Sequence, residues 1–257
     1  MCLILFAFNA SAKYPLVIAA NRDEAYARPA ASAAFWTDHP QVHAGRDLEM
    51  GGAWIGITRS GRFAAVTNYR DGQPKGIAPR SRGELVGGFL TGTQDAAAYL
   101  QDIATRKTEY AGFGTLSGGL NDLWFLSNYG NGIERVTPGV HGLSNHLLDT
   151  PWPKVAAGRH ELTAILGTDP LQMPDQLFAM LADRSIAPEN ALPNTGVGIA
   201  REKQLGPKFI AVDERYGTRA STVIIVNRQR EVYFAERSFG PRGKFLGEMA
   251  ERFTLEG

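Results

Sequence analysis

Punctuation limits what this chain can fold into: short runs rich in β-branched and aromatic residues recur from end to end, several joined by turns too short to hold a helix. Such runs lie at 2–8, 16–20, 53–58 and 62–67, and again at 122–126, 132–137, 209–213, 221–226 and 231–236. Ser60-Gly61, the stretch from Asn128 to Gly132, and residues 227–230 separate neighbouring runs, and connections that short predict antiparallel hairpins. Helical signals lie between the strand blocks, at 82–90, at 95–106 with Thr93 as the candidate cap, at 152–166 with prolines at its start, and at 175–182. Leu85, Phe89, Ala97 and Leu100, and in the third helix Val155, Leu162, Ile165 and Leu166, would face a sheet. Strands grouped with strands and helices with helices predict a layered α+β architecture and argue against a doubly wound parallel sheet. Segment 186–198, with Pro188, Pro193, Gly196 and Gly198, reads as a long surface loop. The strands after it are needed to complete the sheet, so one domain over 1–257 is expected.

Composition narrows the function classes. With 257 residues, 44% hydrophobic and 21% charged, the chain can bury a sizeable core. Lys+Arg at 27 against Asp+Glu at 26 leaves a net charge of +1, which supplies no bulk attraction to nucleic acid or to an anionic membrane surface. No apolar run approaches the roughly 18 residues of a membrane span. Residues 2–8 are apolar and Ala10-Ser11-Ala12 resembles a cleavage site, but there is no basic segment ahead of them, so no signal peptide is expected. The single cysteine, Cys2, excludes an intrachain disulfide and a multi-thiolate zinc site, and makes the cytoplasm the expected compartment. There is no G-x-S-x-G, H-E-x-x-H, Walker A or strand-linked G-x-G-x-x-G motif, and no cofactor is expected. His39 and His43 are four apart, but Pro40 lies between them, so both read as loop histidines rather than metal ligands on one helix face.

What remains is the N-terminus. If Met1 is removed, Cys2 carries a thiol and a free α-amine on one residue. With reference pKa values of about 8.5 and about 7.7–8.0, the neutral amine can take the thiol proton near neutral pH, directly or through water. A buried structural cysteine is the alternative reading of position 2 alone. The run 16–20 then leads into Asn21-Arg22-Asp23-Glu24, and a hairpin with 2–8 returns those polar residues to the neighbourhood of Cys2. An aspartate there can hold an α-ammonium, and an arginine can lower the thiol pKa or hold a substrate carbonyl or carboxylate.

Met1-Cys2, Asn21-Arg22-Asp23-Glu24, Gly51-Gly52-Ala53-Trp54-Ile55-Gly56, Thr67-Asn68-Tyr69-Arg70, Ser81-Arg82-Gly83, Gly142-Leu143-Ser144-Asn145 and Tyr216-Gly217-Thr218-Arg219 occur in this order along nearly the whole chain. Together they resemble the NRDE family, also called the transport and Golgi organisation protein 2 family. The resemblance implies a four-layer αββα sandwich of the N-terminal-nucleophile (Ntn) hydrolase type, and relatives associated with Golgi organisation, lipid metabolism and haem handling. A more distant similarity, to cysteine Ntn hydrolases such as choloylglycine hydrolases and penicillin V acylases, implies roles. Cys2 matches their nucleophile. Arg22 and Asp23 match an arginine and an aspartate that those families separate by intervening residues, so one of the adjacent pair can point away here. Asn68 and Asn145 resemble asparagines that line those active sites and can donate to an oxyanion, and Arg219 resembles a late arginine. Asn21, Trp54 and Tyr69 are candidates for the pocket wall, although aromatic residues beside strands commonly belong to cores.

The expected function is therefore attack by Cys2 on a linear amide or related acyl substrate, through an acyl-enzyme that water resolves. The rival is a non-catalytic carrier of haem or an acyl lipid, for which Cys2, His39, His43, His141, His146 and His160 are the axial candidates, none in a haem motif.

Overall fold

Side-chain alternation along β1 (Cys2–Phe8) explains how one strand serves two cores. Ile4, Phe6 and Phe8 point into one apolar cluster, while Leu3, Leu5 and Ala7 point into another. All seven residues are buried, as befits a strand covered on both faces. The structure is a computed structural model and describes residues 2–73 and 78–256.

β1 lies in a six-stranded sheet. Its neighbours are β2 (Leu16–Ala25) and, on the other side, β10 (Gly139–Leu143); beyond β2 come β11 (Tyr216–Val226), β12 (Glu231–Gly240) and β13 (Lys244–Thr254). The second sheet has seven strands in sequence order: β3 (Ala30–Phe35), β4 (Val42–Asp47), β5 (Ile55–Thr58), β6 (Phe63–Asn68), β7 (Phe113–Gly118), β8 (Leu123–Ser127) and β9 (Ile133–Arg135). Every strand pairing is antiparallel.

The sheets face each other across a core that includes Phe6, Ile18, Phe63, Phe125 and Phe234. On the outer face of the second sheet, α1 (Gly83–Thr91) and α2 (Ala96–Thr105) contribute Leu85, Phe89 and Leu100 to a further core. On the outer face of the first, α3 (Pro153–Ile165) and α4 (Met173–Leu181) contribute Val155, Leu162 and Leu177. The four-layer αββα sandwich is thus observed. A short α5 (Ile199–Leu205) follows the surface loop at 186–198.

Several local expectations are corrected. Residues 209–213 form no strand, since only Ala211 makes a single bridge, to Gly217. Their apolar character serves packing: Phe209 meets Phe239, while the Ile210 N–H is taken by the Thr218 hydroxyl at 2.8 Å. Asp95, not Thr93, caps α2, its carboxylate accepting the Ala98 N–H at 2.9 Å. His43 lies on β4, 1% exposed, among Phe35, Phe234 and Phe253. The sequence patterns also missed β3, β4, β7, β10, β13 and α5.

Candidate active site at the mouth of the inter-sheet core

The hairpin places Cys2 opposite Arg22, so the two side chains share the face that looks toward the second sheet. β2 continues through the whole Asn-Arg-Asp-Glu stretch to Ala25, because β11 pairs with it as far as Tyr216. Polar residues are tolerated there because each finds a partner. Arg22 reaches Asp47 of β4 across the gap at 3.5 Å. At this end the inter-sheet core gives way to a cleft of about 710 Å³ whose walls include Cys2, Arg22, Trp54, Asn68, Arg82 and Arg219.

Cys2 is 6% exposed. Burial pushes its thiol pKa up and the Asp23 carboxylate adds to that shift, while the Arg22 guanidinium opposes it by favouring the thiolate. Its carbonyl oxygen accepts a hydrogen bond from the Ser144 hydroxyl at 3.2 Å.

Asp23 points to the opposite face of β2, as strand alternation requires. Its Oδ1 accepts from the Thr218 hydroxyl at 2.7 Å, its backbone oxygen accepts from Tyr216 Oη at 3.2 Å, and burial holds its carboxyl above the usual carboxylate range. Lys154 of α3 interacts electrostatically with it, and burial lowers that lysine to about 8. Lys154 Nζ donates to the Leu205 carbonyl at 3.0 Å, which ties α3 to the end of α5. Beside them, Arg70 and Glu202 form an ion pair at 3.0 Å, 6% and 2% exposed.

Arg219 sits at a β-bulge, where the register of β11 against β2 shifts between Thr218 and Ala220. The extra residue re-aims the strand, and Arg219 and Ala220 both line the cleft. The guanidinium of Arg219 donates to the carbonyls of Ala25 and Arg28. Asn68 ends β6 at the cleft wall, and Asn145, fully buried at φ 54°, donates from Nδ2 to the Asn68 carbonyl at 3.1 Å. Trp54 lines the cleft and packs on the inter-sheet core.

Asn145 does not itself line the cleft, and two further candidates sit elsewhere. The Asn21 amide donates to the Leu181 and Lys208 carbonyls at 2.9 and 2.8 Å and accepts from the Ser221 hydroxyl at 2.6 Å, so it clamps the outer layer. Tyr69 stacks on Tyr129, ring centroids 3.9 Å apart, and against His146.

Sequence reasoning missed Arg82, Asp47 and Glu236 as cleft residues. Glu236 spans the sheets, its carboxylate accepting the Ala33 N–H at 3.0 Å and the Thr222 hydroxyl at 3.2 Å. Arg82 stood inside a family motif without a role. Its place in the cleft follows from the packing of α1, which no local pattern reports. Among the described residues, no group of three or more His, Cys, Asp or Glu could hold a metal ion, no histidine lines this cleft, and no helix is long and apolar enough to cross a membrane.

Comparison with known proteins gives the family and the fold. The sequence family Transport and Golgi organisation 2 matches residues 1–241. The mouse Transport and Golgi organization 2 homolog is 36% identical, with 93% of each chain covered, and the bovine Transport and Golgi organization protein 2 homolog is 38% identical over the same shares. Among solved structures, penicillin V acylase from Agrobacterium tumefaciens superposes with a TM-score of 0.52 at 11% identity, over 99% of this chain and 86% of that one. That likeness shows a shared Ntn-hydrolase-type fold. The family match over most of the sequence, and relatives that align along nearly their full length, are decisive: the chain belongs to the Transport and Golgi organisation 2 family.

Proposed function

We propose that this protein is an N-terminal cysteine hydrolase acting on a linear amide or related acyl compound. Met1, whose removal the chemistry requires, lies outside the described residues. The observation that carries the reading is the position of Cys2 on the wall of the cleft, with Arg22 on the same face of the sheet and the Asp23 side chain on the other.

In this mechanism the neutral α-amine of Cys2 takes the thiol proton as sulfur attacks the carbonyl carbon. A tetrahedral oxyanion forms, and the Asn68 side-chain amide donates to it. The C–N bond then breaks, the leaving amine takes the proton back from the α-ammonium, and water hydrolyses the thioester to free the acid and regenerate the thiol. Arg22 favours the thiolate against the cost of burial, Asp23 holds the α-ammonium, Asn145 positions Asn68 through its backbone, and Arg219 holds the substrate. Loss of one oxyanion donor costs about 2.7–4 kcal/mol in comparable sites, so Asn68 is a sensitive position.

The decisive experiment is intact mass spectrometry of protein with its native N-terminus, before and after exposure to a panel of simple acyl amides and acyl p-nitroanilides. Loss of Met1 and a transient acyl adduct on Cys2, absent in Cys2→Ala, is the expected result. Undiminished turnover in Cys2→Ala would refute the mechanism. Retained Met1 with no adduct would leave the cleft as a binding site.

A further inference from the structure

Among the cleft-lining arginines, Arg82 and Arg219 differ from the others in one respect. Arg22 and Arg28 pair with Asp47, Arg46 with Asp38, and Arg80 with Glu84 and Glu109. Arg82 and Arg219 have no carboxylate partner among the described residues. Arg82 donates to the Gly112 carbonyl at 3.1 Å, and Arg219 donates to the carbonyls of Ala25 and Arg28. Glu24 acts electrostatically on both but has Oε1 turned back onto the Ala25 N–H at 2.9 Å, and Asp47, which also acts on Arg219, is paired with Arg22 and Arg28.

The two come from opposite sides of the sandwich. Arg219 stands on the bulge of β11, and Arg82 at the N-cap of α1, where Ser81, Arg82 and Gly83 all line the cleft. The positive end of that helix adds to the guanidinium charge. Arg82 is also close enough to Cys2 to interact with it electrostatically. Burial disfavours the charge on both guanidinium groups, a cost that a bound anion relieves.

We propose that Arg82 and Arg219 form an oxyanion clamp beside Cys2, so that the cleft selects acyl compounds carrying a carboxylate or phosphate group. The proposal deepens the hydrolase reading, resting on Cys2 as the reacting group, by giving the substrate a charge. Guanidinium forks suit both oxyanions.

The test uses two alkylating reagents and needs no turnover. Iodoacetate and iodoacetamide each react by attack of the Cys2 thiolate on the methylene carbon, forming a C–S bond as iodide leaves. Both read the same thiolate, so the ratio of their rates cancels the thiol's pKa and isolates the effect of the reagent's charge. Relative to free cysteine, the wild-type ratio of iodoacetate to iodoacetamide should rise at least about tenfold, as local positive charge concentrates an anion. Arg82→Gln and Arg219→Gln should each bring it back toward the free-cysteine value, while Arg46→Gln, whose guanidinium already pairs with Asp38, should not. A wild-type ratio equal to that of free cysteine, or one untouched by both glutamine variants, overturns the clamp whatever the fate of the hydrolase. If the thiol reacts with neither reagent, inorganic phosphate at matched ionic strength decides: it should raise the Tm of the wild type and not of Arg82→Gln/Arg219→Gln, and no shift in the wild type overturns the proposal.

Discussion

At Cys2, opposed effects act on one thiol. Burial and the Asp23 carboxylate raise its pKa and Arg22 lowers it, with burial prevailing. The alkylation rate with iodoacetamide should therefore climb through a midpoint above the ordinary cysteine value of about 8.5. Replacing Arg22 with alanine removes a stabiliser of the thiolate and should move that midpoint further up. A midpoint at or below the ordinary value in the wild type, or a downward move in Arg22→Ala, would contradict this balance. Cys2 and the polar stretch from Asn21 to Glu24 were legible as candidate chemistry from residue order. The opposite orientations of Arg22 and Asp23 are a consequence of β2 running on through both, with Asp47 waiting on one side and Thr218 on the other.

Among the elements, the segment after β10 shows how a loop is held beside the site. α5 carries Glu202, whose carboxylate accepts the Thr195 N–H at 2.9 Å and the Thr195 hydroxyl at 2.6 Å and pairs with buried Arg70, which in turn lies 4.7 Å over the Trp152 ring. Surface pairs such as Lys203 with Glu189 contribute little, but breaking a buried pair leaves a desolvated charge behind. Glu202→Ala should cost about 3–5 kcal/mol in urea denaturation, and adding Arg70→Met should recover part of that loss. A cost below about 1 kcal/mol would mean that this pair is no anchor. The sequence marked 186–198 as loop from its prolines and glycines. It did not reveal α5, whose seven residues are too few to establish a periodicity, or β13, whose exposed and charged pattern resembles a solvated tail until β12 pairs with it.

Across the four layers, His43 makes stability depend on pH. It is buried between the sheets against Phe35 and Phe234, its Nδ1 has no hydrogen-bond partner among the described residues, and burial lowers its pKa to about 4. The unfolded chain binds a proton at about 6.5 and the folded chain only near the lower value, so unfolding takes up a proton in between. This contribution is fully present above about 6.5, falls as the pH drops toward the folded value, and amounts to about 3 kcal/mol in all. His43→Leu should reduce the difference in unfolding free energy between pH 7 and pH 5 by about 2 kcal/mol, measured by urea titration at both. An unchanged pH dependence in the variant would show that His43 protonates as readily in the fold as outside it.

The α+β layering was readable before any coordinates because it follows from local physics: apolar runs such as the one that becomes β1, turns too short for anything but hairpins, and helical stretches set between the strand blocks. Tertiary packing decided what those elements do together. Arg82 and Arg219 lie more than a hundred residues apart, and they share a cleft because the packing of α1 brings Arg82 to one wall and Arg219, at the bulge in β11, lines another. Hydrophobic periodicity records which face of an element is buried, but not what faces it across a core. The site, unlike the layers, is a relation between strands and helices, and it exists only once they are packed.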